Sequence, residues 1–154
     1  MTVQPSLAFA ESNVNNPGDA LLTAEVTESA EKTTHVFGIE HLDALPQTSF
    51  ETSTIWTEGV VTFSGPALSA VIESIGASSK TIRAFALNDY NMVIAEIGSS
   101  DAYPIVATRM DGERFSVRER GPLWLVYPYD SHPDFRDERV YAQSIWQLYK
   151  LTLD

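Results

Sequence analysis

This chain predicts an α+β domain, a mixed and mostly antiparallel sheet carrying a few short helices. Three observations point there. Short runs rich in β-branched and aromatic residues recur between clusters of turn formers, as strands do. Two turn-forming sets, Asn88-Asp89-Tyr90-Asn91 and Asp111-Gly112, each lie between such runs and so mark hairpins joining antiparallel neighbours. Only two segments carry helical spacing, and both are brief. Strands in excess of short helices make an α+β architecture.

Taken in order, residues 1–18 read as a tail and residues 19–154 as a single domain. The polar turn formers from Glu11 to Gly18 have nothing to pack. Leu21 to Val26 is a first β-like run, and Thr33 to Phe37 is a second that Gly38 breaks. Ile39, Leu42 and Leu45 are spaced as one or two helical turns, ended by Pro46. Gln47 to Trp56 puts Phe50, Thr52 and Thr54 on one face of a strand, and Trp56-Thr57-Glu58-Gly59 closes it in a turn. Val60 to Phe63 leads back to Ser64-Gly65-Pro66, where Pro66 takes the first position of a helix with Leu68, Val71, Ile72 and Ile75 on its apolar face. Gly76 stops that helix. Thr81 to Leu87 and Met92 to Ile97 form one hairpin; Tyr103 to Arg109 and Arg114 to Val117 form another around Asp111-Gly112. Leu123 to Tyr127 is a continuous apolar run bounded by Pro122 and Pro128, as a strand buried on both faces would be. Tyr129 to Asp134 reads as an ordered loop, Arg136 to Ser144 carries no clear period, and Ile145 to Leu153 alternates as a last strand.

Composition bounds the function. A chain of 154 residues, 44% hydrophobic, suits one core. A net charge of −11 argues against nucleic acid or an anionic membrane surface as the main partner, since both demand a basic footprint. The basic residues are unevenly spread: up to Ser79 the only one is Lys32, and every arginine lies at or beyond Arg83. Cysteine is absent, which removes disulfides, thiolate metal sites and cysteine nucleophiles together. Near the start, Ala8-Phe9-Ala10 has the small-x-small pattern that ends a secretory signal peptide, without a charged or long apolar segment before it. It reads either as the stump of a leader or as a loose tail.

The stretch from Ser116 to Pro128 organises the rest. Arg118 and Arg120 flank a carboxylate, Gly121-Pro122 turns the chain, and the central strand follows, so the two guanidinium groups either meet a ligand at the strand mouth or form a solvated rim. Gly121-Pro122-Leu123, then Tyr127-Pro128, an acidic Pro-containing loop and Ser144-Ile145-Trp146-Gln147-Leu148 together resemble the oxidoreductase molybdopterin-binding domain of the sulfite-oxidase type. Closer still is the likeness to small stand-alone members of that fold described as pterin-binding proteins. The resemblance covers roughly residues 33–153. It implies a sulfite-oxidase-like molybdopterin-binding fold and, since the stand-alone members resemble exported proteins, a periplasmic location. In the molybdenum enzymes the metal-binding cysteine lies in the strand corresponding to Gln47–Trp56; here that neighbourhood is Thr52-Ser53-Thr54.

Other chemistries fit less well. A hydrolytic triad needs a histidine beside a nucleophile, and neither His35 nor His41 has such a setting. His132 between Asp130 and Asp134 reads as a capped loop rather than a metal site, and no Gly-rich phosphate loop occurs. What remains is Trp56 with Thr57 at a strand end, Asn88, Asp89 and Tyr90 at a hairpin tip, and Arg118 and Arg120. A pterin needs an aromatic face to stack on, a carboxylate for its 2-amino and N3–H edge, and donors for its carbonyl and ring nitrogens, and these residues supply all three. The expectation is non-catalytic binding of a pterin in the periplasm, without molybdenum, relayed to the extracytoplasmic part of a membrane signalling protein. The alternative is a molybdopterin-dependent oxidoreductase domain acting on a small substrate, which the missing thiolate disfavours.

Overall fold

A computed structural model of the protein describes residues 20–77, 81–94 and 102–154. Strands β1 (Leu22–Glu28) and β2 (Glu31–Phe37) form a hairpin, and helix α1 (Ile39–Asp43) follows Gly38. A second hairpin joins β3 (Gln47–Ser53) to β4 (Val60–Pro66), which runs into α2 (Leu68–Ser74). A third joins β5 (Ile82–Ala86) to β6 (Asn91–Val93). Then come β7 (Ile105–Ala107), β8 (Arg109–Met110), β9 (Trp124–Val126), α3 (Glu138–Ala142) and β10 (Leu148–Leu153). The strands group as β2-β1-β10-β5-β6, β3-β4-β8 and β7-β9, and every pairing except β1 with β10 is antiparallel. The mixed, mostly antiparallel α+β architecture with short helices is therefore present.

The pair β7-β9 is a partition between two cores. Because side chains alternate along a strand, Leu123 and Leu125 face an aliphatic core together with Val106, while Trp124 and Val126 face an aromatic core together with Ile105 and Ala107. All seven of these residues are fully buried. The aliphatic core is completed by the inner face of the five-stranded sheet, including Leu22, Ala24, Leu148 and Leu151, and by Leu42, Leu68 and Val71 from the two helices α1 and α2. The aromatic core gathers Phe63, Phe115, Tyr127 and Tyr129, with Phe50, Trp56, Tyr103, Phe135 and Tyr141 packed at its edge. Burying each such side chain contributes about 1.5–3 kcal/mol, so a strand used on both faces concentrates stabilisation in very few residues.

The structure corrects the expected elements at three places. Pro66 ends a strand instead of opening a helix: Gly65 and Pro66 still pair with Thr48 and Gln47, and α2 begins at Leu68 after Ala67. Gly65 is there for closeness, since a Cβ at that position would overlap the Val106 carbonyl where β4 lies against β7. Asp111-Gly112 does turn the chain, with Met110 and Glu113 exchanging backbone bonds of 2.9 and 3.0 Å, but no strand continues from Arg114 to Val117. Ser116 and Glu119 instead form a capping box that winds Val117–Glu119 into a 3-10 turn, and β7 takes β9 as its partner. The last strand starts at Leu148, because Gln147 adopts a left-handed φ of 56°. A bulge between Leu148 and Lys150 then sets Leu148 and Leu151 on the same buried face, against the simple alternation expected. The unassigned stretch after Arg136 contains α3, capped by Asp137 accepting from the Arg139 amide at 2.8 Å. Of the expected Met92 to Ile97 strand, β6 supplies the start, and residues 95–97 lie outside the described residues, as do 1–19 with the tail.

A methyl group at Gly65 must push β4 away from the partition. Gly65→Ala is expected to lower unfolding free energy by about 1–3 kcal/mol, as overpacking a tight core does; urea denaturation of the two proteins reads it, and an unchanged midpoint would refute the close-approach role.

Candidate functional site: an aromatic cleft

Beside the aromatic core lies a cleft of about 310 Å³. Three loops build it: Trp56 comes from the β3–β4 connection, Asn88 and Tyr90 from the β5–β6 turn, and Tyr141, Ser144, Trp146 and Gln147 from α3 and the chain entering β10. Ala86 and Ile145 complete the lining.

Each rim residue is fixed by local chemistry. Thr54 Oγ1 accepts from the amides of Trp56 and Thr57 at 3.0 and 2.9 Å and contacts Thr57 Oγ1 at 2.7 Å, so the loop after β3 folds on a hydroxyl-centred turn. This places the Trp56 ring edge-on to Trp124, Tyr129 and Tyr141 at centroid distances of 5.8, 6.0 and 5.8 Å. The hairpin tip is an Asx turn in which Asn88 Oδ1 accepts from the Tyr90 amide at 3.0 Å and Asp89 takes a left-handed φ of 72°. Tyr90 then reaches across to donate its hydroxyl to the Ala142 carbonyl at 2.9 Å, tying hairpin to helix end. Trp146 stands free of β10 because Gln147 turns the backbone, and Gln147 Nε2 holds the Val117 carbonyl at 2.9 Å.

Behind the cleft the phenols are buried donors. Tyr129 donates to Ser144 Oγ at 2.6 Å, Ser144 donates to the Val140 carbonyl at 2.8 Å, and Tyr127 donates to Gln143 Oε1 at 3.2 Å. Burial pushes both phenols well above the usual tyrosine range, so they stay protonated at any physiological pH.

Of the residues expected to bind a ligand, Trp56, Asn88 and Tyr90 line this one cleft. Arg120 adjoins it: its guanidinium carbon lies 5.4 Å from the Trp146 ring centroid and 5.9 Å from that of Trp124. Thr57, Asp89 and Arg118 are not among the lining residues. Thr57 is engaged by Thr54, Asp89 is exposed at the hairpin tip, and Arg118 is exposed within the 3-10 turn, so the two arginines do not act as a matched pair. The sequence reading missed Tyr141, Ser144, Trp146 and Gln147 as lining residues. Ser144 to Leu148 was a recognisable block, but reading Trp146 into a strand hid its role.

The Thr52-Ser53-Thr54 segment does not suit a soft metal. Ser53 donates from both its amide and its hydroxyl to the Asp130 carboxylate at 2.7 Å, while Thr52 Oγ1 accepts from the Asp130 amide at 3.0 Å and donates to the Ser53 carbonyl at 3.0 Å. The two hydroxyls are committed to Asp130 and to the Ser53 carbonyl, and as hard oxygens they offer no soft ligand. His132 Nδ1 accepts from the Asp134 amide at 3.1 Å, and among the described residues no three His, Asp or Glu side chains converge as a metal site. Scans against protein-family models and curated protein sequences find no match to this chain.

The Asp130 latch makes acid stability testable. Hydrogen bonds from the Ser53 amide first, and from its hydroxyl second, hold the Asp130 carboxyl below its usual value. A depressed folded-state value means the unfolded chain binds the proton more readily. The contribution is thus complete above the unfolded value of about 3.9 and lost as pH falls through the lower folded value. Urea midpoints are expected to drop as pH falls below about 4, and less steeply in Ser53→Ala; equal slopes would show that the latch adds nothing.

Proposed function

We propose that the protein is a non-catalytic pterin binder whose ligand occupies the aromatic cleft. The observation that carries this reading is the Trp56 ring, braced edge-on by three other aromatic rings at the margin of a cleft that also presents Tyr90 and Trp146. A planar heterocycle gains most from such a face, and stacking a nucleobase-like ring on an aromatic platform is worth about 1–3 kcal/mol. Asn88 and Gln147 bring amide groups to the same walls, and these amides, rather than the exposed Asp89 outside the lining, are the groups available to the polar edge of the ring. A volume near 310 Å³ sits at the small end of ligand pockets and suits a free bicyclic ring better than a large phosphorylated cofactor.

The parent architecture in this proposal is the sulfite-oxidase-like molybdopterin-binding fold, without its metal. Supporting that are the order of the Gly121-Pro122-Leu123, Tyr127-Pro128 and Ser144 to Leu148 blocks and the commitment of Thr52 and Ser53 to Asp130. Work in the periplasm, with the bound state relayed to the extracytoplasmic part of a membrane signalling protein, follows from the same resemblance and from Ala8-Phe9-Ala10.

Calorimetric titration with an oxidised and a reduced pterin tests the proposal. Wild type should bind, and Trp56→Ala should bind roughly ten- to a hundredfold more weakly, as the loss of one stacking platform predicts. Absence of binding by wild type to either pterin, or an unaffected Trp56→Ala, would overturn it.

A further inference from the structure

Two buried donors beside the cleft have no acceptor among the described residues. Trp124 is fully buried, yet among the described residues its indole Nε1–H has no hydrogen-bond partner, and neither has Arg120 Nε–H. Buried polar atoms are nearly always satisfied, so an orphan calls for an explanation of its own. Here there are two, both donors, on side chains that touch: the Arg120 guanidinium lies over the Trp124 ring and over the Trp146 ring, which lines the cleft. Four other arginines have side-chain partners, Arg83 in Asn91, Arg109 in Asp43, Arg136 in the Tyr129 carbonyl and Arg139 in Asp137. Arg120 is half-buried, carries no ion pair among the described residues, and sits on a backbone with a φ of 77°, a left-handed conformation that bulky residues rarely adopt.

We propose that Arg120 and the Trp124 indole N–H form an acceptor subsite adjoining the cleft, and that the ligand of this protein is an anion whose carboxylate or similar acidic group is received there. The chemistry is one-sided. Neither donor can accept, so the missing group must be an acceptor. The guanidinium adds a fixed charge and a planar fork, which favours a carboxylate-like anion over a neutral carbonyl. Stacking on two indoles holds that fork in place without using any of its N–H groups. In a protein of net charge −11 the long-range field repels anions, so a preference for an anionic ligand has to come from a local cation such as this one.

The inference deepens the pterin reading, and matched ligand pairs separate the two. The probes are pterin-6-carboxylate against pterin-6-carboxamide, and 2-naphthoate against 2-naphthamide, which keep shape and remove the charge. The tryptophans Trp56, Trp124 and Trp146 are the only three in the chain, so intrinsic fluorescence reports on this region. Wild type should prefer the acid of each pair about tenfold, and Arg120→Gln should bring the ratio close to one. Arg120→Lys keeps a charge without the fork and should retain part of the preference. If Arg120→Gln fails to fold, Arg120→Lys and the wild-type ratios decide. Pterins that bind without preference for the acid would overturn the subsite and leave the pterin reading standing. Pterins that fail to bind while 2-naphthoate is preferred over its amide in an Arg120-dependent way would overturn the pterin reading and uphold the subsite. No preference in either pair, or a full preference surviving in Arg120→Gln, would overturn the subsite.

Discussion

Strand β9 has no solvent face, and the rest of the molecule is arranged to meet that condition. A strand between two cores must satisfy its backbone on both edges while its side chains fill two different volumes. One edge is served by β7, where Ile105, Val106 and Ala107 stand opposite Val126, Leu125 and Trp124. The other is served by the chain entering β10: the Leu125 amide donates to the Ile145 carbonyl at 2.8 Å, and the Leu148 amide to the Leu123 carbonyl at 2.9 Å. Those two bonds pin Ile145 and Leu148, so the residues between them, Trp146 and Gln147, project as a short fixed bow. The wall of the cleft is thus a by-product of how the central strand completes its hydrogen bonding.

The two cores divide the work. Aliphatic side chains on one face of β9 cement the five-stranded sheet, where branched residues interdigitate closely. The other face is filled by rings, with Trp124 in contact with Trp56, Phe63 and Phe115. Rings that meet edge to face leave polar atoms to be placed, and the phenols of Tyr127 and Tyr129 find Gln143 and Ser144 at the end of α3. The indole N–H of Trp124 finds no partner among the described residues, although its ring is fully buried. An otherwise satisfied aromatic core with one orphan next to a half-buried cation is an asymmetric arrangement, and it lies at the cleft.

Much of this was legible because it is written locally. Pro122 and Pro128 around an unbroken apolar run announce β9, and Asn88 to Asn91 announce the β5–β6 turn that carries Asn88 and Tyr90. What escaped depends on partners distant in sequence or on a change of period. Gly65 is read locally as a breaker, but it is a contact with Val106 forty-odd residues away that requires it. Arg118 and Arg120 would share a face if the segment were extended; in a 3-10 turn, with about three residues per turn, positions two apart point in different directions. Hence one arginine is solvated and the other is laid on tryptophan rings. The sequence did contain the Ser116-x-x-Glu119 capping box that causes this. The left-handed Gln147 has no comparable signal, because glutamine has no preference for that conformation.

The rim of the cleft comes from three separate loops, and each is anchored by bonds that a ligand does not need to make. The Trp56 loop is closed on Thr54, the Tyr90 hairpin is tied to Ala142, and the Trp146 bow is strung between Leu123 and Leu125. Ligand binding to such a frame orders few side chains, so little of the interaction energy is lost to conformational entropy. The tie from Tyr90 to Ala142 is the exposed one of the three, and it crosses from one wall to another. A ring entering beside it would meet a hydroxyl already committed to a carbonyl, and exchange of that bond is the natural way for occupancy to loosen the β5–β6 hairpin from α3.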